Sequence, residues 1–317
     1  MAARSLQFHL LMSRSRRAAR KRNRSQSRKA RKKQEGWFRH SFIRSLGGIV
    51  ALGTLCIITL TGGIIFFQYD LRAARYDMDA VGRIPIETRV PDANGGLIGY
   101  LRGENMGRPV PLESISPHFI EALLAREDSR FYHHNGIDKF GVVRAWIRNA
   151  KEKRTVQGAS TITMQLSRMT YGLTGQTMER KLLEMAIARR IEKRYSKEEI
   201  LSHYVNRVFL GTGMNGIEQA AQGYFAKSAA ELTVPEAAMI AGVIRAPNGF
   251  SPFRHYETAL REMRSTLRRM ENEGVISKKE TEQYLKARPL VQPQDRWMKM
   301  LRQHSKVSGQ KHGISGR

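Results

Sequence analysis

SPHFIEALLAREDSRFYHHNG, residues 116 to 136, is the stretch on which the reading of the fold turns. Ser116-Pro117 supplies a helix cap and a proline at the first helical position, where a missing N–H costs nothing. An apolar segment with helical spacing follows and closes on two acids. An Arg, two aromatics, two His and a turn-forming Asn-Gly then crowd into the next eight residues. Comparable start signals recur downstream as Ser196-x-x-Glu199, Thr233-x-x-Glu236 and Ser277-x-x-Glu280, each with apolar residues at helical spacing. Three capping boxes predict a mainly α body from about Ser116 to Leu290, without internal repeats.

Upstream of that body, RIPIETRVPDANGGLIGYLRG places short apolar stretches on either side of Asp92-Ala93-Asn94-Gly95-Gly96, the pattern of a small β-hairpin within a stalk spanning 68–115. Before it, Leu46 to Phe67 is a run of 22 residues without a charged side chain. At about 1.5 Å per residue such a helix spans a bilayer core. FFQYDLRAAR follows it in place of a small-residue cleavage pattern, so the run is expected to be an uncleaved anchor and not a signal peptide. Residues 1–45 hold 15 Lys and Arg against the single acid Glu35 and supply +14 of the formal net charge of +27. That tail lacks apolar periodicity and is predicted to be disordered, on the cytoplasmic side by the positive-inside rule, with everything after Gln68 outside. Membrane attraction and topology account for its charge without nucleic acid, and no nucleic-acid recognition module is visible.

Residues 291–317 are polar and basic and leave no room for a further domain. Ser308-x-x-Lys311 lies there without a downstream K-T-G and reads as coincidence. The only cysteine, Cys56, falls in the apolar run, so stability outside the membrane is expected from packing alone.

Four stretches carry chemistry. Glu127 ends a predicted helix, where exposed carbonyls disfavour a carboxylate and raise its proton affinity; Phe131 and Tyr132 could desolvate it further and make it a base. A frayed helix end with solvated acids is the bland alternative. GASTITMQLSR (158–168) sets a glycine before a hydroxyl-rich run and an Arg suited to phosphate, a weak signal alone. RKLLE (180–184) puts Arg180 and Glu184 one turn apart, which a surface ion pair explains equally well. KEEILSHYVNRVFLGTGMNGIEQAAQGYFAK (197–227) reads as two helices around a glycine-rich turn, with packing as its plain explanation.

In that order the stretches resemble the peptidoglycan glycosyltransferases, both the monofunctional enzymes and the transglycosylase module (glycosyltransferase family 51) of class A penicillin-binding proteins. The first family motif, E-D-x-x-F-x-x-H-x-G, is met at Glu127, Asp128, Phe131, His134 and Gly136. The second is met at Gly158, Ser160, Thr161, Ile162 and Gln165, and the third, R-K-x-x-E, at Arg180, Lys181 and Glu184. The fourth matches at positions that include Tyr204, Asn206, Gly211 and Gly216, and a fifth at Ala241, Gly242, Ala246, Pro247 and Pro252. Met164 stands where the family usually has Gln, Arg168 replaces Lys and Met169 replaces Asn, while Glu262 and Met263 occupy what is commonly an Arg pair. Those departures bear on the donor site more than on the catalytic step.

The resemblance covers about residues 85 to 290 and implies a lysozyme-like glycosyltransferase domain at 116–290, at the outer face of the cytoplasmic membrane (periplasmic in a Gram-negative cell), polymerising lipid II with inversion and without a transpeptidase domain. Glu127 then matches the base and Glu184 the second carboxylate. Asp128, Phe131, His134, Gly136, Ser160, Thr161, Gln165 and Asn206 match substrate-binding positions. Arg168, Arg180 and Lys181 would surround the departing pyrophosphate, with Glu184 positioning it directly or through a divalent cation, Mg or Mn; no cofactor is required. Lipid II, the growing glycan chain and the membrane are the implied partners, with transpeptidases or other cell-wall synthesis proteins acting alongside. The stretch GIDKFGVVRAWIRNAKEKRTVQ, with Phe140 and Trp146 among basic residues, suits the lipid interface, with a soluble core as the alternative. A lysozyme-like hydrolase and a catalytically weak scaffold that binds lipid II are the rival readings, the latter motivated by Met164 and Met169.

Overall fold

The computed structural model describes residues 48, 50–83, 88–91, 97–101, 109–144 and 160–307. The basic tail 1–45, the hairpin turn at 92–96, Gly158, Trp146 with the later part of the basic-apolar stretch, and Ser308 to Lys311 lie outside these residues. The chain divides into two units, Met1–Phe67 and Gln68–Arg317.

The first unit holds most of α1, Val50–Ala73, the one helix among the described residues long and apolar enough to cross a membrane. Its apolar side chains, among them Leu52, Ile57, Leu60 and Phe67, are exposed, as a lipid-facing helix requires. The hydroxyls of Thr54 and Thr59 donate to the carbonyls of Val50 (2.8 Å) and Leu55 (3.0 Å), so these polar groups are satisfied within the helix. The helix extends beyond the apolar run predicted to end at Phe67. Its last turn, in the second unit, carries Asp70, which pairs with Arg189 at 3.1 Å, and Ala73, which is fully buried. Residues 76–83 continue along the body: the hydroxyls of Tyr171 and Tyr195 donate to the carbonyls of Asp77 (2.7 Å) and Met78 (2.9 Å).

β1 (Thr88–Pro91) and β2 (Leu97–Leu101) form the expected antiparallel hairpin, with Thr88 opposite Leu101 and a bulge between Val90 and Pro91. The proline cannot donate to the ladder, which fits its place at the irregularity.

The rest of the second unit is helical. α2 (Pro117–Glu127) begins on its proline as expected, but Ser116 does not cap it. Ser116 is buried, and its hydroxyl donates to the carbonyl of Leu232 at 2.9 Å, tying the helix start to the loop before α7. α3 (Ile162–Thr170) and α4 (Met178–Arg194) are capped by Thr161 and Thr177. α5 (Lys197–Val205) opens on the Ser196–Glu199 box. α6 (Ile217–Phe225) precedes α7 (Val234–Val243), where the Glu236 carboxylate accepts from both the N–H (2.9 Å) and the hydroxyl (2.8 Å) of Thr233. α8 (Tyr256–Asn272) and α9 (Lys278–Tyr284, opened by the Ser277–Glu280 box) follow.

α7 is buried along nearly its whole length, which makes it the central helix of the core; it packs on α2 and α8, while α3 packs on α4 and α5. The region read as a polar tail contains a further helix, α10 (Gln294–Val307), packed on α6. Its Trp297 is buried, with the indole N–H donating to the Thr212 carbonyl at 3.2 Å. Trp297, Met298, Met300 and Leu301 stand at helical spacing there, a docking signal that the basic composition of the stretch concealed.

Candidate active site

Glu127 is the last residue of α2, at the end where unpaired carbonyls gather. Its Oε2 accepts a hydrogen bond from the Gln165 amide of α3 at 2.9 Å, and the Gln165 carbonyl oxygen accepts from the Tyr204 hydroxyl of α5, also at 2.9 Å. Burial pushes the Tyr204 hydroxyl far above the usual phenol range, and the charge of Glu127 adds to this. Tyr204 is therefore a permanent donor. Its proton fixes the orientation of the Gln165 amide, whose NH2 group can then only face Glu127.

A second set of contacts fastens the junction after Glu127 to the start of α3. The Asp128 carboxylate accepts from the Ile162 N–H at 3.0 Å and from His134 Nε2 at 2.9 Å, and both side chains are buried. The Thr161 hydroxyl donates to the Gly136 carbonyl at 2.7 Å while capping α3. Gly136 has φ +86°, and a Cβ there would stand 3.1 Å from the Ala188 backbone of α4, so only glycine makes this turn. The crowding of charge and aromatic surface at 127–136 is thus largely a fastening. Phe131 lies in the core with the Lys197 ammonium 4.3 Å from its ring centre, and Tyr132 is half exposed. Neither is among the residues that line the two cavities beside Glu127.

Two cavities meet at Glu127. The larger, about 440 Å³, runs from Asp128, Ser160 and Thr161 to Ser265, Arg268 and Asn272 of α8. The smaller, about 230 Å³, is lined by Gln165, Arg168, Ile244 and Arg245. Both include Arg126, Glu127, Ser160 and Arg269. A third, open cavity of about 770 Å³ is lined by Arg168, Arg180, Lys181 and the loop at 173–178, so Arg168 borders two cavities. Lys181 donates to the Ser160 hydroxyl beside Glu127. Burial holds its ammonium below the usual range, against the opposing pull of Glu184.

Glu184 lines none of these cavities. It is fully buried on α4, paired with Arg180 and 3.6 Å from the Lys181 ammonium. Its position is that of a counter-ion holding two cations that border a cavity. Among the described residues, no cluster of three or more His, Cys, Asp or Glu could hold a metal.

Asn206 is not among the residues lining these cavities: its amide oxygen accepts from the Val110 N–H at 2.8 Å, and its NH2 donates to the carbonyls of Val110 (2.9 Å) and Ser202 (3.0 Å). Met164 is buried in α3 and Met169 packs against the core, so two of the three departures in the second motif face away from the cavities, while Arg168 lines two of them. The sequence reading assigned no role to Tyr204 or Arg126. A tyrosine on the apolar face of an amphipathic helix was the available signal for the first, since a buried hydroxyl must find a partner.

Residues 94–271 match the family model for transglycosylases. Penicillin-binding protein 1A of Aquifex aeolicus (strain VF5) is 41% identical over 199 residues, covering 63% of this chain and 27% of that protein. Penicillin-binding protein 1A of Escherichia coli (strain K12) is 39% identical over 232 residues, covering 72% of this chain and 27% of that protein. The chain thus spans little more than a quarter of the length of these relatives. A solved structure of penicillin-binding protein 1A from Haemophilus influenzae is matched at 26% identity over 72% of this chain and 25% of that one, with a TM-score of 0.38, too low to carry an argument about the fold. All the predicted site positions lie within the matched residues.

Proposed function

The chain belongs to the transglycosylase family, and from that premise we propose that it is a peptidoglycan glycosyltransferase that polymerises lipid II into glycan strands. The observation that carries the reading is the placement of Glu127, held at one oxygen by Gln165 where two cavities meet, with Arg168 and Lys181 reaching the same cleft.

The chemistry follows from that placement. Glu127 accepts the proton of the acceptor's sugar 4-hydroxyl as the oxygen bonds to the anomeric carbon of the donor. The bond from that carbon to the lipid pyrophosphate breaks, its electron pair leaves with the pyrophosphate, and the configuration inverts. A well-placed base supplies roughly a hundred- to ten-thousand-fold. Arg168, Arg180 and Lys181 stabilise the charge developing on the leaving group, and Glu184 keeps the last two ordered. No step passes through a metal. Asp128, His134, Thr161 and Gly136 hold the base in register with α3, and Asn206 acts at a distance by fixing the segment at Val110.

In the same reading α1 anchors the domain to the cytoplasmic membrane with the basic tail inside and the catalytic domain outside. Met164 is buried and Met169 partly buried against the core, which speaks against a non-catalytic scaffold, and the cation-lined cavities favour transfer from a pyrophosphate over hydrolysis of finished glycan.

The test is incubation of the detergent-solubilised chain with labelled lipid II. Wild type should form polymer at the same rate with and without a chelator, and Glu127→Gln should lose at least about a hundredfold while melting at the wild-type temperature. Near-normal polymerisation by a folded Glu127→Gln protein would refute the assignment.

A further inference from the structure

We propose that Arg126 is a positioning residue for Glu127, acting through a buried clamp onto one face of α8. The inference rests on the reading of Glu127 as the base.

Arg126 directly precedes Glu127 in the last turn of α2. A cation suits that end of a helix, and Arg126 borders both cavities that meet at Glu127. Its side chain is nevertheless only 3% exposed. One guanidinium nitrogen pairs with the Glu262 carboxylate, and another donates to the Ser265 hydroxyl at 3.0 Å. The main chain is held as well, because Arg269 donates to the Arg126 carbonyl at 2.8 Å. Positions 262, 265 and 269 follow the three- and four-residue steps of a single helix face. The approach of α8 depends on Gly242 of α7, where a Cβ would stand 3.0 Å from the Glu262 Cβ and 3.1 Å from its carbonyl carbon.

This arrangement accounts for one of the departures in the sequence. An Arg at 262, common at that position in the resembling family, would confront Arg126 with a like charge in a site with little water to screen it. Glu262 cancels the charge of Arg126 and fixes its direction. Glu127 is then held from two sides, at its carboxylate by Gln165 of α3 and through the carbonyl of the preceding Arg126 by α8. Such bracing keeps a reacting group within about half an ångström of its productive position.

The experiment compares the full chain with Arg126→Met, Glu262→Met and the double variant. Each single variant leaves one charge, buried at Arg126 or partly buried at Glu262, without its partner and should melt lower; the double removes both charges and should recover most of the melting temperature. A purely structural pair would recover its activity in the same step. The clamp predicts that the double variant stays about tenfold or more down in kcat on lipid II, with KM within about twofold of wild type. It also predicts that the amides of residues 124–130 exchange hydrogen faster in the double variant than in wild type, a readout independent of turnover. Wild-type kcat in the double variant, or unchanged exchange at 124–130, overturns the proposal. Absence of polymer from the wild type would count against the glycosyltransferase reading instead, and the exchange measurement would still decide on the clamp.

Discussion

Glu127, Gln165 and Tyr204 form a chain in which each group fixes the next, and the permanent donor at its buried end sets the direction of both hydrogen bonds. Replacing Tyr204 by Phe removes one oxygen and little volume. It leaves the Gln165 carbonyl without its donor and frees the amide to turn its oxygen toward Glu127. Tyr204→Phe is expected to lower stability by about 1–3 kcal/mol, the cost of a buried acceptor left unsatisfied, and to lower kcat more than it raises KM. Urea denaturation and steady-state polymerisation on lipid II measure the two; a variant with unchanged kcat would show that the Gln165 amide keeps its orientation without the tyrosine. Glu127 was legible as an acid at a helix end because that is a local property. Its link to Tyr204 was not, since Gln165 and Tyr204 lie 39 residues apart on different helices.

The helices divide according to whether their start signals act within the segment or across the fold. Ser196–Glu199 and Ser277–Glu280 close on themselves, so the sequence pattern and the structure agree. Ser116 carries the same kind of residue, yet its hydroxyl goes to Leu232, a partner 116 positions away. This difference sets the cost of mutation. Ser277→Ala should lose about 1 kcal/mol, the ordinary worth of an N-cap, and leave polymerisation unchanged, because α9 contributes no residue to the cavities beside Glu127. Chemical denaturation alongside the lipid II assay checks both halves, and a large loss of activity would show that α9 communicates with the cleft. Thr161 does both kinds of work, capping α3 and holding Gly136, which is why a residue typical of a cap sits at the centre of the site.

At the scale of the second unit, α7 provides a core helix buried on nearly every side, and α10 adds a prop beyond the residues that match the family. Trp297 is 4% exposed and is the large buried anchor of that prop. Trp297→Ala should cost about 3–5 kcal/mol. The loss should appear as a lower melting temperature of the second unit, with hydrogen exchange rising first in α6 and in the loop at 211–216 that Trp297 holds through Thr212. An unchanged melting temperature would mean that α10 is bound too weakly to stabilise the unit.

The sequence by itself determined the mainly helical body, the apolar anchor, the hairpin and the five ordered motifs, because helix periodicity, capping boxes and charge-free runs are properties of neighbouring residues. It also singled out Glu127, Arg168, Arg180 and Lys181 as the groups able to do the chemistry. Only the tertiary structure decided that Glu184 is a buried counter-ion, that Asn206 binds the backbone at Val110 and Ser202, that Met164 is buried in the core, and that Glu262 answers Arg126. The physical reason is the same in each case: the role of a polar side chain is set by the partner it finds and the water it loses, and both come from residues distant in the chain.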